Sequence, residues 1–385
     1  MNILKISILL LFINQFIYPQ FHGHHGGNVP SSQCIDASQY SKIHDLKLIG
    51  YGNGRTRDSI LFDDPMGNGG INSFGKTLVN YVDLNTSSSL LDYTCGQITY
   101  NGHQGTDLEI LNFYDMDEGV PILCSALGTV IYRHDGEYDR RTEWQNGVTA
   151  NAVIVSHSDG FEAWYWHMRK NSVNVELGDT VAIGDTLGYV GSSGYSSGPH
   201  IHFEIQQNGT VDPFSGECQT DTSRWLVQGD YVLELPFEVM DHGLTTISLD
   251  WAMISERPPT KSHVTAPGTI YSWLRLRNVQ NSDELTWDFY ENGCLWNSYS
   301  FSPNDTYSSS WWYIYWNLPS NSSYFGDWGL KIYRNDSLIA EQPFLYNNEP
   351  NQVPVIEDTT LTLEINSIFN GSIDIFNMFM IILHY

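Results

Sequence analysis

The sequence predicts a mainly β protein, and three observations carry that prediction. Short apolar runs recur along the chain, each bounded by Gly, Asp, Asn or Ser. The composition is rich in Gly, Ser, Asn, Thr and aromatic residues and poor in Lys and Ala. Long patterns with the 3.6-residue helical period are scarce. At 385 residues the chain has room for two domains and a tail.

Met1 to Tyr18 holds a single cation, Lys5, and then the run ISILLLFINQFIY. This pattern predicts a signal peptide over residues 1–20 and a secreted protein, extracellular or periplasmic; the run is too short and interrupted for a membrane span. Residues 21–92 form an N-terminal region of unreadable role. It begins with HGHHGG (His22, His24, His25), read as a flexible tail, and contains the strand-like runs HDLKLIGYG and KTLVNYVDL. From 93 to 216 the strands GTVIYRH, NAVIVSH, FEAWYWHM and IHFEI predict an antiparallel sheet, and the close glycines of VELGDTVAIGDTLGYVGSSG predict sharp turns. Residues 217–242 read as a connector.

Over 243–347 the runs TTISLDWAMI, TIYSWLRLRNV, ELTWDFYENG, SSWWYIYWNL and WGLKIYRNDSLIAEQPFLY alternate with turn residues. They predict a small, immunoglobulin-like β-sandwich. Its aromatics follow the strand period, so they belong to a core, and it holds no cluster of titratable groups. The tail 348–385 ends in an apolar run too short for a membrane helix and resembles a truncated sorting segment.

The net charge of −26 excludes nucleic acid as a partner, because phosphates demand a basic surface. Cys34, Cys95, Cys124, Cys218 and Cys294 lack any C-x-x-C spacing and read as structural. In an oxidising compartment some pair, and the odd count leaves at least one unpaired.

The chemistry lies in five residues. NGHQGTD supplies His103 and Asp107, WYWHM supplies His167, and GPHIHFE supplies His200 and His202. On a strand His200 and His202 share a face. Gly102 and Gly105 disfavour a helix, so His103 and Asp107 fall at a turn leading into a strand. Each fragment alone arises by chance. Together they offer the imidazoles and carboxylate of a catalytic zinc site, three ligands with a fourth position left for water.

The stretches GHQGTDLEI, GVPILCSALGTVIYRHDG, NAVIVSHSDGFEAWYWHM, SVNVELGDTVAIGDTLGYVGSSGYSSGPHIHFEI and VDPF, within Cys95 to Phe214, resemble the lysostaphin-like (LytM-type) zinc metallopeptidases. The resemblance implies Zn²⁺ held by His103, Asp107 and His202. It also implies His200 as general base and His167 as hydrogen-bond donor to the tetrahedral oxyanion, the two sharing or exchanging these roles. His134 and His157 match no motif and read as surface residues or residues behind the site. Gly191, Gly194 and Gly198 would shape a narrow groove. The implied protein is a secreted endopeptidase cutting peptidoglycan stems or cross-bridges. The alternative is a non-catalytic wall-binding or regulatory protein on the same fold, which the complete ligand set disfavours. The sandwich reads as an accessory module, wall-targeting or stabilising, and no residue of the N-terminal region marks a blocking ligand. The bond cleaved and the oligomeric state are left open.

Overall fold

The computed structural model describes Gln20, Phe21, Gln39, Ile43, residues 60–67 and residues 75–349. The predicted signal peptide up to residue 19, the His22–His25 cluster, Cys34 and the tail beyond 349 lie outside the described residues. Among the described residues no helix is long and apolar enough to cross a membrane.

Eight strands make the larger sheet. Along its main path the order is Lys76–Asn80, Thr106–Ile110, His200–Gln206, Glu162–Trp166, Ala152–Ser156, Gly128–His134 and Thr180–Val181. Thr210–Val211 pairs onto His200–Gln206, and every pairing is antiparallel. Alternation sets the faces. Leu108, Ile110, Ile201, Phe203 and Ile205 join the main apolar core with Val153, Val155 and Tyr165. Asp107, Glu109, His202 and Glu204 therefore point the other way. That second face is buried too. Trp164, Trp166, Ile154 and Tyr132 extend it as a smaller apolar cluster, on which Ile43 packs. Gln39 donates to Ala150 O at 2.9 Å beside them.

The Cys95–Cys218 disulfide ties the two ends of this region across 123 residues. Closing so long a loop restricts the unfolded chain. Cys124, buried, and Cys294, exposed, are free thiols.

The second β block is built from two sheets. One has the order Gln20–Phe21, Tyr307–Asn317, Thr269–Val279, Glu238–Thr245; the other has the order His263–Thr265, Ser337–Asn347, Gly326–Arg334, Leu285–Glu291, Cys294–Phe301. Leu274, Leu276, Trp287, Phe289, Trp312, Leu330 and Ile332 fill the space between them. An Asn292-Gly293 turn with both residues at positive φ joins two of the strands, as a tight hairpin requires.

Three boundaries differ from the sequence reading. The strand Lys76–Asn80 lies in the N-terminal region yet forms an edge of the larger sheet, and Phe62 sits in that sheet's core. The second block starts at Glu238, inside the predicted connector, because EVMDHGLT pairs with Thr269–Val279. TTISLDWAMI is only briefly a strand: the Asp250 side chain accepts from Met253 N at 2.9 Å and caps a short helix, Trp251–Ser255.

Candidate active site

The site is assembled on the polar face of the larger sheet. His202 is the cross-strand partner of Asp107 on one side and of Trp166 on the other, so register alone brings two of the five residues together. His103 precedes its strand in a turn, and His167 follows Trp166. His167 has φ 61°, a left-handed conformation that costs energy for a non-glycine residue. A small network holds it there. Met168 N donates to Asn151 O at 3.1 Å, Asn151 Nδ2 donates to Met168 O at 3.0 Å, and Ser193 Oγ donates to the same carbonyl at 2.8 Å.

Hydrogen-bond partners fix the tautomer of each histidine. His103 Nδ1 lies 2.6 Å from Tyr81 O. A carbonyl oxygen only accepts, so Nδ1 carries the proton and Nε2 keeps its lone pair. His202 Nε2 donates to the Glu204 carboxylate at 2.9 Å, which leaves the lone pair on Nδ1. His167 Nδ1 donates to Ser193 O at 2.7 Å, and His200 Nδ1 donates to Gly198 O at 2.8 Å. Four imidazoles thus keep one unprotonated nitrogen each.

Two of those nitrogens and one carboxylate converge. His103 Nε2 and His202 Nδ1 are 3.0 Å apart, Asp107 Oδ1 is 2.7 Å from His202 Nδ1, and Asp107 Oδ2 is 3.2 Å from His103 Nε2. All three residues are buried, and suitable donor atoms lie within 4.8 Å of one another. Three lone-pair atoms so close repel unless a cation sits among them. The donor set of two imidazoles and one carboxylate suits zinc with a position left open. Burial by itself pushes the Asp107 carboxyl up, but positive charge at His103 and His202 outweighs it and holds the group well below the usual carboxylate range, the same work a cation among the three atoms does when both rings are neutral. It stays ionised. Asn80 Nδ2 donates to its Oδ2 at 2.9 Å.

His167 and His200 stand beside this cluster with ring centroids 4.6 Å apart, and His200 Nε2 is 3.9 Å from Asp107 Oδ1. His167 Nε2 is buried without a hydrogen-bond partner among the described residues. Burial first, then His200 and His202, pushes its imidazole pKa well below the ordinary value. As a neutral ring with Nδ1 protonated it accepts at Nε2, and it can donate there only after taking up a proton.

The Gly/Ser run has a definite local role. Ser192 and Ser196 share a 2.8 Å hydrogen bond, and Ser196 donates to Gly198 O at 2.9 Å, the carbonyl that also holds His200. Ser193 holds His167. Gly105 is required by close approach: a Cβ there would come within 2.8 Å of the His202 ring and 2.7 Å of Phe203 O.

His134 and His157 stand apart from this cluster. His134 pairs with Glu137 at 2.9 Å, partly exposed. His157 is buried against Phe62, not at the surface, and burial lowers its pKa to about 4. Sequence reasoning missed Asn80, Glu204 and the carbonyls of Tyr81 and Ser193. Glu204 had a signal, lying two residues beyond His202 on one strand face; the others had none.

A buried three-donor cluster, flanked by two further imidazoles on an antiparallel sheet, is a group that could hold a metal ion. Residues 101–213 match Peptidase family M23, and this part of the chain is a domain of that family. The DD-carboxypeptidase/endopeptidase Mpg of Neisseria meningitidis is 32% identical over 118 residues, 30% of this chain and 23% of that protein. Lysostaphin of Staphylococcus staphylolyticus is 29% identical over 130 residues, 34% of this chain and 23% of its own length. The glycyl-glycine endopeptidase ALE-1 of Staphylococcus capitis is 29% identical over 135 residues, 35% of this chain and 32% of that protein. This chain therefore spans between about a quarter and a third of the length of these relatives.

Proposed function

We propose that the protein is a secreted zinc metalloendopeptidase that hydrolyses peptide bonds in peptidoglycan stems or cross-bridges. The observation that carries this reading is the convergence of three lone-pair atoms from His103, Asp107 and His202, each locked by a neighbour. Zinc held there would supply a Lewis acid for the scissile carbonyl and lower the pKa of water towards ~7.

The chain's own residues do the rest. His200, at the accessible edge of the site, takes a proton at Nε2 as general base and passes it to the leaving amine. His167 accepts at Nε2 in its resting tautomer and, once protonated, donates to the developing oxyanion. Ser193 and Gly198 hold the two rings so that neither has to reorient during reaction. Work is divided between a peptidase region at 93–216 and an accessory sandwich at 243–347, the first extended by its edge strand and the second by its first strand. The names of the relatives point to D-amino-acid cross-links and to glycine bridges, and both lie within the proposed substrate class.

Digestion of purified peptidoglycans of several cross-link types, with mass spectrometry of the products and zinc analysis of the enzyme, tests the proposal. One zinc per chain and new peptide termini are expected. A zinc-loaded protein that releases nothing from any wall would overturn it.

A further inference from the structure

Glu109 lies on the strand of Asp107, two residues on and on the same face, and it is the direct cross-strand partner of His200. Side chains paired in this way have Cβ atoms about 4.5–5.5 Å apart. A second carboxylate therefore borders the imidazole assigned to proton transfer. It is buried, and an ionised buried carboxylate needs a charged partner.

That partner comes from the other β block. Arg275 Nη2 pairs with Glu109 Oε2, and Ser309 Oγ donates to the same oxygen at 3.0 Å. Arg275 is only 1% exposed, and its guanidinium lies over the Trp311 ring at 4.9 Å. Its Nε and Nη1 are buried with no hydrogen-bond partner among the described residues. Arg275, Ser309 and Trp311 share the outward face of their sheet, because Leu274, Leu276 and Trp312 point into the sandwich core. Nearby, Thr77, the other cross-strand neighbour of Glu109, meets Met240 of the second block at 3.5 Å.

We propose that Glu109 is a positioning residue and that Arg275 and Ser309 set it from the second β block. The sandwich thereby forms part of the catalytic unit and is not a detachable targeting module. The clamp fixes where the extra negative charge beside His200 lies. A carboxylate released from Arg275 would draw the imidazole away from Gly198 O and from the face it shares with Asp107. The inference rests on the reading of His200 as a working residue.

The full chain tests it, with R275M, E109Q/R275M, R275K and, as comparator, E256Q, which breaks the exposed Arg140–Glu256 contact instead. Three quantities are measured: thermal unfolding, kcat and KM on a peptidoglycan fragment, and Co²⁺ affinity of the metal-stripped protein by visible absorption. R275M is expected to lower kcat about 10- to 100-fold with KM within about threefold, and to weaken Co²⁺ binding about tenfold. Removing the released charge in E109Q/R275M should restore kcat to within about fivefold of wild type, while E256Q stays within about twofold. Wild-type kcat and Co²⁺ affinity in R275M, no rescue by E109Q, or an equal loss in E256Q would each overturn the proposal. Should R275M not fold, R275K carries the test: an intermediate kcat supports the clamp, and a wild-type kcat with wild-type Co²⁺ affinity sinks it. If the wild type binds Co²⁺ but cleaves no fragment, the proposed function fails, and the Co²⁺ affinities of the same variants still decide the clamp.

Discussion

The two β blocks bury the second face of a sheet in opposite ways. In the sandwich, the inward residues of Thr269–Val279 and Tyr307–Asn317 meet Trp287, Leu330 and Ile332, and the result is an apolar interior with Trp287 Nε1 satisfied by Ser272 Oγ at 3.0 Å. In the peptidase sheet the corresponding surface holds His103, Asp107, His202 and Glu204, all buried. The first arrangement gains free energy from every residue it covers. The second concentrates lone pairs that repel until a cation is present. Stability and chemistry are thus placed in different parts of one chain, and only the polar face should respond to metal.

Substitutions sharpen that contrast. The largest effect belongs to His200→Ala, which should lower peptidoglycan hydrolysis by about 10²–10⁴-fold while leaving the zinc content near one per chain. Zinc analysis beside an activity assay checks this, and loss of metal would move His200 into the ligand set. Trp287→Ala should destabilise the sandwich by about 3–5 kcal/mol in denaturant unfolding, yet leave metal affinity intact in the folded fraction. A large fall in that affinity would mean that the sandwich core, and not only the Arg275–Glu109 contact, is coupled to the metal site.

The next effect is on pH. His157 binds a proton near 6.5 when unfolded but only near about 4 when folded. The unfolded state therefore holds more protons between those values. Stability is complete above about 6.5 and falls as the pH drops towards 4, by about 3 kcal/mol in all from this residue. His157→Phe should flatten the slope of unfolding free energy against pH; an unchanged slope would exonerate His157. The smallest change belongs to Glu204→Gln. It should weaken zinc binding about 10- to 100-fold by removing the negative charge that strengthens the His202 Nε2–H hydrogen bond and keeps the lone pair on Nδ1, and a competition titration against a chelator reads it directly.

Much of the site was legible because it is local. The H-x-H spacing put His200 and His202 on one strand face, and the glycines around His103 disfavoured a helix. What the spacing could not convey was the tautomer of each ring, since that depends on Tyr81 O, Ser193 O and Gly198 O. Asn80 was invisible for the same reason: its role depends on a strand register 27 residues from Asp107. TTISLDWAMI was misread because its apolar residues suit either a strand or a short helix, and the cap at Asp250 decided between them.

By itself the sequence determined the β character of the chain, the alternation of each strand and the five residues that meet at the candidate site. These follow from period-two patterning and local turn residues. Only the tertiary structure decided that three lone pairs face one another, that His167 is buried and neutral, and that Arg275 reaches Glu109 across 166 positions of chain. Such relations are set by register and packing between distant strands, and no local pattern encodes them. The H-x-H pair is written in the chain; its partners exist only once the sheet has closed.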